Sequence, residues 1–337
     1  MNPSVGLAIV LFSGMLTASF AAPMRLARRW SWENTWLVYA TFALVLMPCA
    51  LVAWAIPHPY AFYSSIPLRV MLPAILFGFS WGIAQVTFGL SIARVGMAMA
   101  FAIVIGLSSL LGSVIPLAVF HPDDLLGRAG LALLISAVLL VIGLVHYVQA
   151  GREREVNRAV TETVGGAFRI GVLLCIFTGC FGSMINMGFV FGAPIAQHAV
   201  QLGVMPESAT LSIWLVVLAA GYLPNLAYTL FLLNRNNTTR LFRDQWARES
   251  LLSLAAAILW LFGMLGYGMG AGVMGKYGNS LGFAVCMAAL LLWSSVLGLM
   301  AGEWNAALPA TRKRMYAALV FIVLSVIVLS FSTLLRK

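Results

Sequence analysis

Ten times along the chain an apolar run of roughly 20 residues is closed by a short polar joint, the length a helix needs to cross about 30 Å of hydrocarbon. The runs cover 3–22, 36–56, 72–92, 97–118, 129–149, 170–192, 210–233, 250–270, 281–301 and 316–335. The pattern predicts an all-α integral membrane protein of ten transmembrane helices, with almost nothing left for a soluble domain. The first run ends in Ala18-Ser19-Phe20-Ala21-Ala22, a sequence like a signal-peptide cleavage site. No positive charge precedes it, and Arg25, Arg28 and Arg29 follow it, so it is expected to be a retained helix.

Composition agrees with this division. Of the 337 residues 62% are hydrophobic and 9% charged, and mean hydropathy is +0.97, far from the roughly 25% charge of a globular domain. The 20 Lys and Arg outnumber the 10 Asp and Glu, but they sit in clusters between apolar runs, where the positive-inside rule accounts for them and a nucleic-acid partner is not needed. Fifteen of the 20 fall in the joints after the odd-numbered runs, which puts those joints in the cytoplasm and both termini outside. The sequons at Asn236 and Asn237 then face the cytoplasm and remain bare. Cys49, Cys175, Cys180 and Cys286 all lie within apolar runs, so neither a disulfide framework nor a metal site is expected.

The longest polar stretch, 150–169, separates a first five-helix repeat (1–149) from a second (170–337). An odd number of helices per half forces opposite orientations. Gly6 with Phe12-Ser13-Gly14 recurs at identical spacing as Gly171 with Phe177-Thr178-Gly179, and Arg94-x-Gly96 with Phe101-Ala102-Ile103 recurs as Lys276-x-Gly278 with Phe283-Ala284-Val285. Inverted repeats are a feature of secondary transporters, whose substrate site lies near the bilayer midplane.

The segment Ala22-Pro23-x-Arg25-x-x-Arg28-Arg29-Trp30-Ser31-Trp32-Glu33-x-x-Trp36 resembles the L-rhamnose/proton symporter family of the drug/metabolite transporter superfamily. Tyr63-Ser64-Ser65, Phe77-Gly78 with Trp81-Gly82, Gly89-Leu90, Gly96-Met97, Leu202-Gly203-Val204 and Glu303-Trp304-Asn305 extend the likeness over most of the chain. The resemblance implies ten helices in two inverted halves, in a bacterial inner membrane, importing a sugar with protons. The chain departs from the family pattern at Gln85, Thr87 and Phe88, where the family carries Asn, Asn and Tyr. It departs again after Trp260, where Leu261, Phe262 and Gly263 replace Tyr, Leu and Gln. These changes bear on which sugar is held.

Polar groups inside the membrane need a partner or a wet cavity. Taking the cytoplasmic arginines as the inner boundary, Gln85, nine residues from Arg94, lies about 13 Å deep, Asn225 about 15 Å and Trp260 about 18 Å. All three reach the midplane, so they are expected to bind substrate, with Trp81 one turn before Gln85 and Asn186 nearer the outer surface as further candidates. Each amide has a plainer alternative as helix-to-helix glue. Pro224 before Asn225 is expected to loosen the helix. All ten carboxylates lie in joints or at helix ends, so proton coupling and an inner gate fall to Glu33 and Glu303, with Arg28, Arg29 or the Arg312-Lys313-Arg314 cluster as ion-pair partners. Trp30, Trp32, Trp36 and Trp304 read as an interfacial belt. His121-Pro122-Asp123-Asp124, the one compact His/carboxylate group, fits a turn better than an enzyme site, and no cofactor is expected. The expected partners are thus a small polyhydroxylated solute such as L-rhamnose, protons and membrane lipid, with an exporter or facilitator of another metabolite as the alternative and a membrane enzyme a distant one.

Overall fold

The computed structural model describes residues 3–95, 97–120, 122–124, 127–156, 166–275, 278–300, 302, 304–305 and 307–334. Glu303, His121, Lys276 and part of the 150–169 joint, all singled out above, lie outside these residues. Among the described residues all regular structure is helical. Nine stretches there, from Pro3–Leu26 to Gly278–Met300, are long and apolar enough to cross a membrane. They overlie the first nine expected runs, and the helix Pro309–Leu334 overlies the tenth.

In chain order the helices are α1 (Pro3–Ser19), α2 (Ala21–Leu26), α3 (Trp32–Thr41), α4 (Met47–Ala55), α5 (Pro59–Ser65), α6 (Leu68–Val95), α7 (Met97–Phe120), α8 (Arg128–Val156), α9 (Gly166–Gly182), α10 (Met184–Phe191), α11 (Ala193–Gln201), α12 (Pro206–Ala209), α13 (Leu211–Asn236), α14 (Trp246–Met274), α15 (Phe283–Met300) and α16 (Pro309–Leu334). Between α3 and α4 the residues Phe42–Leu46 form a π-helical turn, and the Met47 N–H reaches back to the Phe42 carbonyl. Pro48 explains it: proline lacks an N–H and its ring crowds the carbonyl four residues before, and widening the turn relieves the clash. The sixth span differs most from expectation, running Arg169–Gln201 where 170–192 was expected. Gly192-Ala193-Pro194 does not end it, because Pro194 sits in the first turn of α11, where a missing N–H costs nothing.

The chain gathers into two compact units. Unit 1 comprises Met1–Met15, Thr87–Ser183 and Gly270–Lys337, and unit 2 comprises Leu16–Val86 and Met184–Met269. In unit 1 the pairing of α8 with α16 is the most extensive. Ile105, Leu140, Leu144, Ala288, Leu291 and Ile322 form one core cluster, and Gly143 lets α8 approach Ile322 and the Ala318 carbonyl closely. Hydroxyls also join helices within unit 1: Ser136 with Ser325 at 2.8 Å, Thr87 with Thr178 at 2.7 Å, and Ser108 donating to the Gly179 carbonyl at 2.9 Å. The opposite face of α8, with Leu131, Leu134, Ile135, Val138, Val141 and Val145 all exposed, is suited to lipid. In unit 2, α13 is the common partner of α3, α4, α10 and α11. It also meets α6 backbone to backbone, since a side-chain carbon on Gly78 or Gly82 would overlap the Val217 or Gly221 carbonyl.

Pro224, expected to loosen its helix, does not interrupt it. Both α13, with Pro224 inside it, and α14, with its five glycines, are unbroken helices. Within unit 2 Gly268 makes room for Trp214 and Phe189, and within unit 1 Gly270 makes room for Val10 and the Gly6 carbonyl.

Candidate substrate site

The midplane residues named from sequence all fall in unit 2, Gln85 just before the end of its share of α6 at Val86. Trp81 and Trp260 are buried and stack, with ring centroids 5.7 Å apart and planes within 18°. Tyr39 meets Trp260 edge-on at 6.3 Å, and Trp36 lies 5.0 Å from Tyr39. Trp36 stacks on Trp32 at 5.1 Å, so an unbroken chain of rings leads from the exposed Trp32 to the buried Trp81.

Asn225, 1% exposed, is held on three sides. Its Oδ1 accepts the Trp36 indole N–H at 2.9 Å, and its Nδ2 donates to the Gly221 carbonyl at 2.9 Å and, weakly, to the Gly82 carbonyl at 3.4 Å. One amide thus ties α3 and α6 to α13, and it reaches Gly82 because Gly82 and Gly221 allow the backbones to touch. A second oxygen lone pair remains. Gln85 contrasts with it. It is half-buried, one turn beyond Trp81, and its side chain makes no hydrogen bond with any described residue. Of the positions that depart from the family pattern on this helix, Thr87 is bonded to Thr178 and Phe88 packs on Ala100, Val104 and Cys175, both within unit 1. Asn186 stands apart from the Trp81–Trp260 pair. It is fully buried and accepts the Tyr267 hydroxyl at 2.5 Å, seven residues along α14 from Trp260.

The basic end of unit 2 is built around the close of α13. Asn237, with φ +52°, stops the helix, and Thr238 N–H returns to the Leu233 carbonyl while Asn237 N–H returns to Asn234, which closes the last turn. This turn aims Asn236 and Thr238 at Glu33, whose Oε1 accepts from the Asn236 amide at 3.1 Å and the Thr238 hydroxyl at 2.7 Å. Asn34 donates to the Thr238 carbonyl at 3.1 Å. Glu33 is 4% exposed and sits in the first turn of α3, where the helix dipole favours an anion. Among the described residues its hydrogen-bond donors are these neutral groups, and Arg28 and Arg29 are exposed. Arg314 pairs with Glu153 inside unit 1. Glu249, a further buried carboxylate, is bonded by Arg248 at 2.6 Å. Among the described residues no cluster of His, Cys, Asp or Glu is arranged to hold a metal.

A family model described as the L-rhamnose-proton symport protein matches residues 1–334. The chain belongs to this family. L-rhamnose-proton symporters from Escherichia coli and Shigella boydii are each 26% identical to it over 303 residues, 88% of either chain. The symporter from Mannheimia succiniciproducens is 28% identical over 297 residues, 86% of either chain. The family is one of membrane transporters, not enzymes, and the chain is a multi-pass membrane protein.

Sequence reasoning passed over Tyr39, Trp214 and Tyr267 and placed Trp36 in an interfacial belt. Trp32, Trp36 and Tyr39 are spaced four and three apart, one helix face, but the same residues beside cytoplasmic arginines also describe an interfacial belt. Replacing Asn225 by Leu is expected to cost about 1–3 kcal/mol, because it leaves the Trp36 N–H unpaired. Trp36→Phe should then cost less in the Asn225→Leu background than in the wild type. Thermal unfolding of the purified protein measures both, and strictly additive losses would contradict the bond.

Proposed function

We propose that this chain is a secondary active transporter of the bacterial inner membrane that imports a neutral monosaccharide, L-rhamnose foremost, by proton symport with alternating access. The observation that carries the reading is the unspent amide of Gln85 beside the stacked Trp81–Trp260 pair. A sugar leaving water gives up hydrogen bonds worth on the order of 1–3 kcal/mol each if unpaired, and an amide both donates and accepts. Ring faces cover the apolar C–H side of the sugar, and the lack of a charged residue at this depth argues against a strongly charged substrate. Gln85, Trp81 and Trp260 contact the sugar directly, Asn225 positions Trp36 and offers its remaining lone pair, and Asn186 acts nearer the outer face. The relatives, named as L-rhamnose-proton symporters, supply the sugar and the coupling ion. A glutamine in place of the family's asparagine at position 85 reaches about one methylene further into the site, which alters its fit to the sugar.

The proton-linked step is assigned to Glu33 and Glu303 at the inner gate, flanked by Arg28 and Arg29. Glu33 is suited to it because it is buried at the cytoplasmic end of α3 and bonded by neutral donors, so its charge can change without breaking an ion pair.

The architecture we infer is ten helices in two inverted repeats, 1–149 and 170–337. The composition of the two units supports it. Four spans are divided between the units, the first, third, sixth and eighth, which are partners under the repeat. The division after Val86 stands eight residues before Arg94, and that after Met269 stands seven before Lys276, its counterpart.

Reconstituted vesicles are expected to accumulate radiolabelled L-rhamnose, chemically unchanged, when the outside is more acidic. Gln85→Ala should raise the half-saturation constant roughly tenfold, about 1.4 kcal/mol. The double variant Glu33→Gln, Glu303→Gln should keep sugar exchange and lose pH-driven accumulation. Failure to move any sugar in a panel would contradict the transport reading, uptake indifferent to the pH gradient would leave a facilitator, and uphill pH-dependent uptake in the double variant would clear the two carboxylates. Reporters fused at Arg152 and at the carboxyl terminus should report opposite sides of the membrane; the same side would refute the inferred topology.

A further inference from the structure

Farther from its basic end, unit 2 holds a second polar and aromatic cluster that the midplane site does not use. Asn186 on α10, Trp214 on α13 and Tyr267 on α14 are 0%, 1% and 1% exposed. The Tyr267 hydroxyl donates to Asn186 Oδ1 at 2.5 Å. Phe189 stacks on Trp214 with centroids 4.8 Å apart and tilts against Tyr267 at 6.0 Å. Trp214 is 21 residues from Arg235 and Tyr267 is 19 from Arg248, so by helix rise they lie about 31 and 28 Å from the inner boundary, against about 15–18 Å for Asn225 and Trp260. On the inferred topology this is the outer end.

Two observations point to a ligand here. The Trp214 indole N–H is buried and has no acceptor among the described residues, a state that native proteins rarely leave unexplained. It packs against Gly268, where a side-chain carbon would stand 2.8 Å from Nε1 and overlap it, so glycine is what leaves room beside the donor. The groups around it are neutral: an amide, a phenol, and the faces of two aromatic rings. A carboxylate or phosphate would find no counter-charge, whereas a hydroxyl oxygen of a sugar can take the N–H while its C–H face lies on the rings.

We propose that Trp214, Asn186 and Tyr267 form an outer sugar subsite, in which a sugar hydroxyl accepts the Trp214 N–H beside Gly268 before the sugar passes to Gln85 at the midplane. The proposal rests on the transport reading above. In this conformation the cluster is packed shut and the donor is unpaid; entry of sugar from the outer side satisfies it. The subsite therefore acts on the sugar arriving from outside and is not met by sugar binding from the cytoplasm.

Sidedness tests this. Radiolabelled L-rhamnose transport is measured in right-side-out and inside-out vesicles for the wild type, Trp214→Phe, Gly268→Ala and Gln85→Ala. Trp214→Phe keeps an aromatic ring, though a smaller one, and removes the donor, and Gly268→Ala keeps the donor and crowds it. Each is expected to raise the half-saturation constant from the outer side about fivefold to tenfold, the scale of one lost hydrogen bond, and to leave the inner constant unchanged. Gln85→Ala should raise both constants. A purely structural role would lower the amount of active protein, reducing maximal rates from both sides without moving either constant. The proposal is overturned if both Trp214→Phe and Gly268→Ala leave the outer constant unchanged while Gln85→Ala raises it, or if the inner and outer constants rise alike. Absence of L-rhamnose transport by the wild type would instead bring down the transport reading, and the subsite with it.

Discussion

Hydrocarbon offers a polar group no hydrogen bond, and this constraint decides where the informative side chains end. The cheapest answer is a bond to the same helix, and Ser13, Thr41, Ser91, Thr229 and Ser253 each donate to the carbonyl four residues before. An amide has too many valences for that. Asn225 fills most of its own by drawing on three helices at once, Trp36 from α3, Gly82 from α6 and Gly221 beside it on α13. Gln85, at a similar expected depth, does not fill its own. In a bilayer protein an amide with nothing to bond is exposed to water, or to a solute that replaces water, so the difference between these two side chains separates a positioning role from a binding one.

The same constraint links small residues to the site. Gly78 and Gly82 allow α6 to touch the backbone of α13. Without that approach the Asn225 amide would not reach the Gly82 carbonyl, and the Trp36 ring would lose the fixed oxygen that orients it. Trp36 in turn touches Tyr39, and Tyr39 touches Trp260, so glycine packing is transmitted through one amide to the aromatic wall. At the basic end the left-handed turn at Asn237 does similar work, aiming Asn236 and Thr238 at Glu33.

The helices were legible in the sequence because apolar length is a direct demand of the bilayer, and the depth of Gln85, Asn225 and Trp260 followed from counting. Asn236 and Asn237 looked like chance sequons; Asn237 ends α13 by its own left-handed turn, and the bond of Asn236 to Glu33 depends on a residue some 200 positions away. Trp36 could not be told from a belt residue, since its decisive feature is an oxygen on another helix. The sixth run closes at 192 on apolar length alone, whereas in the structure Pro194 stands in the first turn of a further helix, α11. Which amide would be spent on packing was a question of tertiary contacts, and the sequence held both answers open.

On the transport reading, sugar lies against Gln85. With Cys49, Cys175, Cys180 and Cys286 replaced, the Gln85→Cys variant can be alkylated by a small neutral maleimide in membrane vesicles, with Val138→Cys on the exposed face of α8 as the control. L-rhamnose is expected to slow alkylation at position 85 in a saturable way, at the concentrations that saturate transport, and to leave position 138 unaffected. Alkylation of the Gln85→Cys variant at the same rate with and without sugar, in protein that still transports it, would contradict the account.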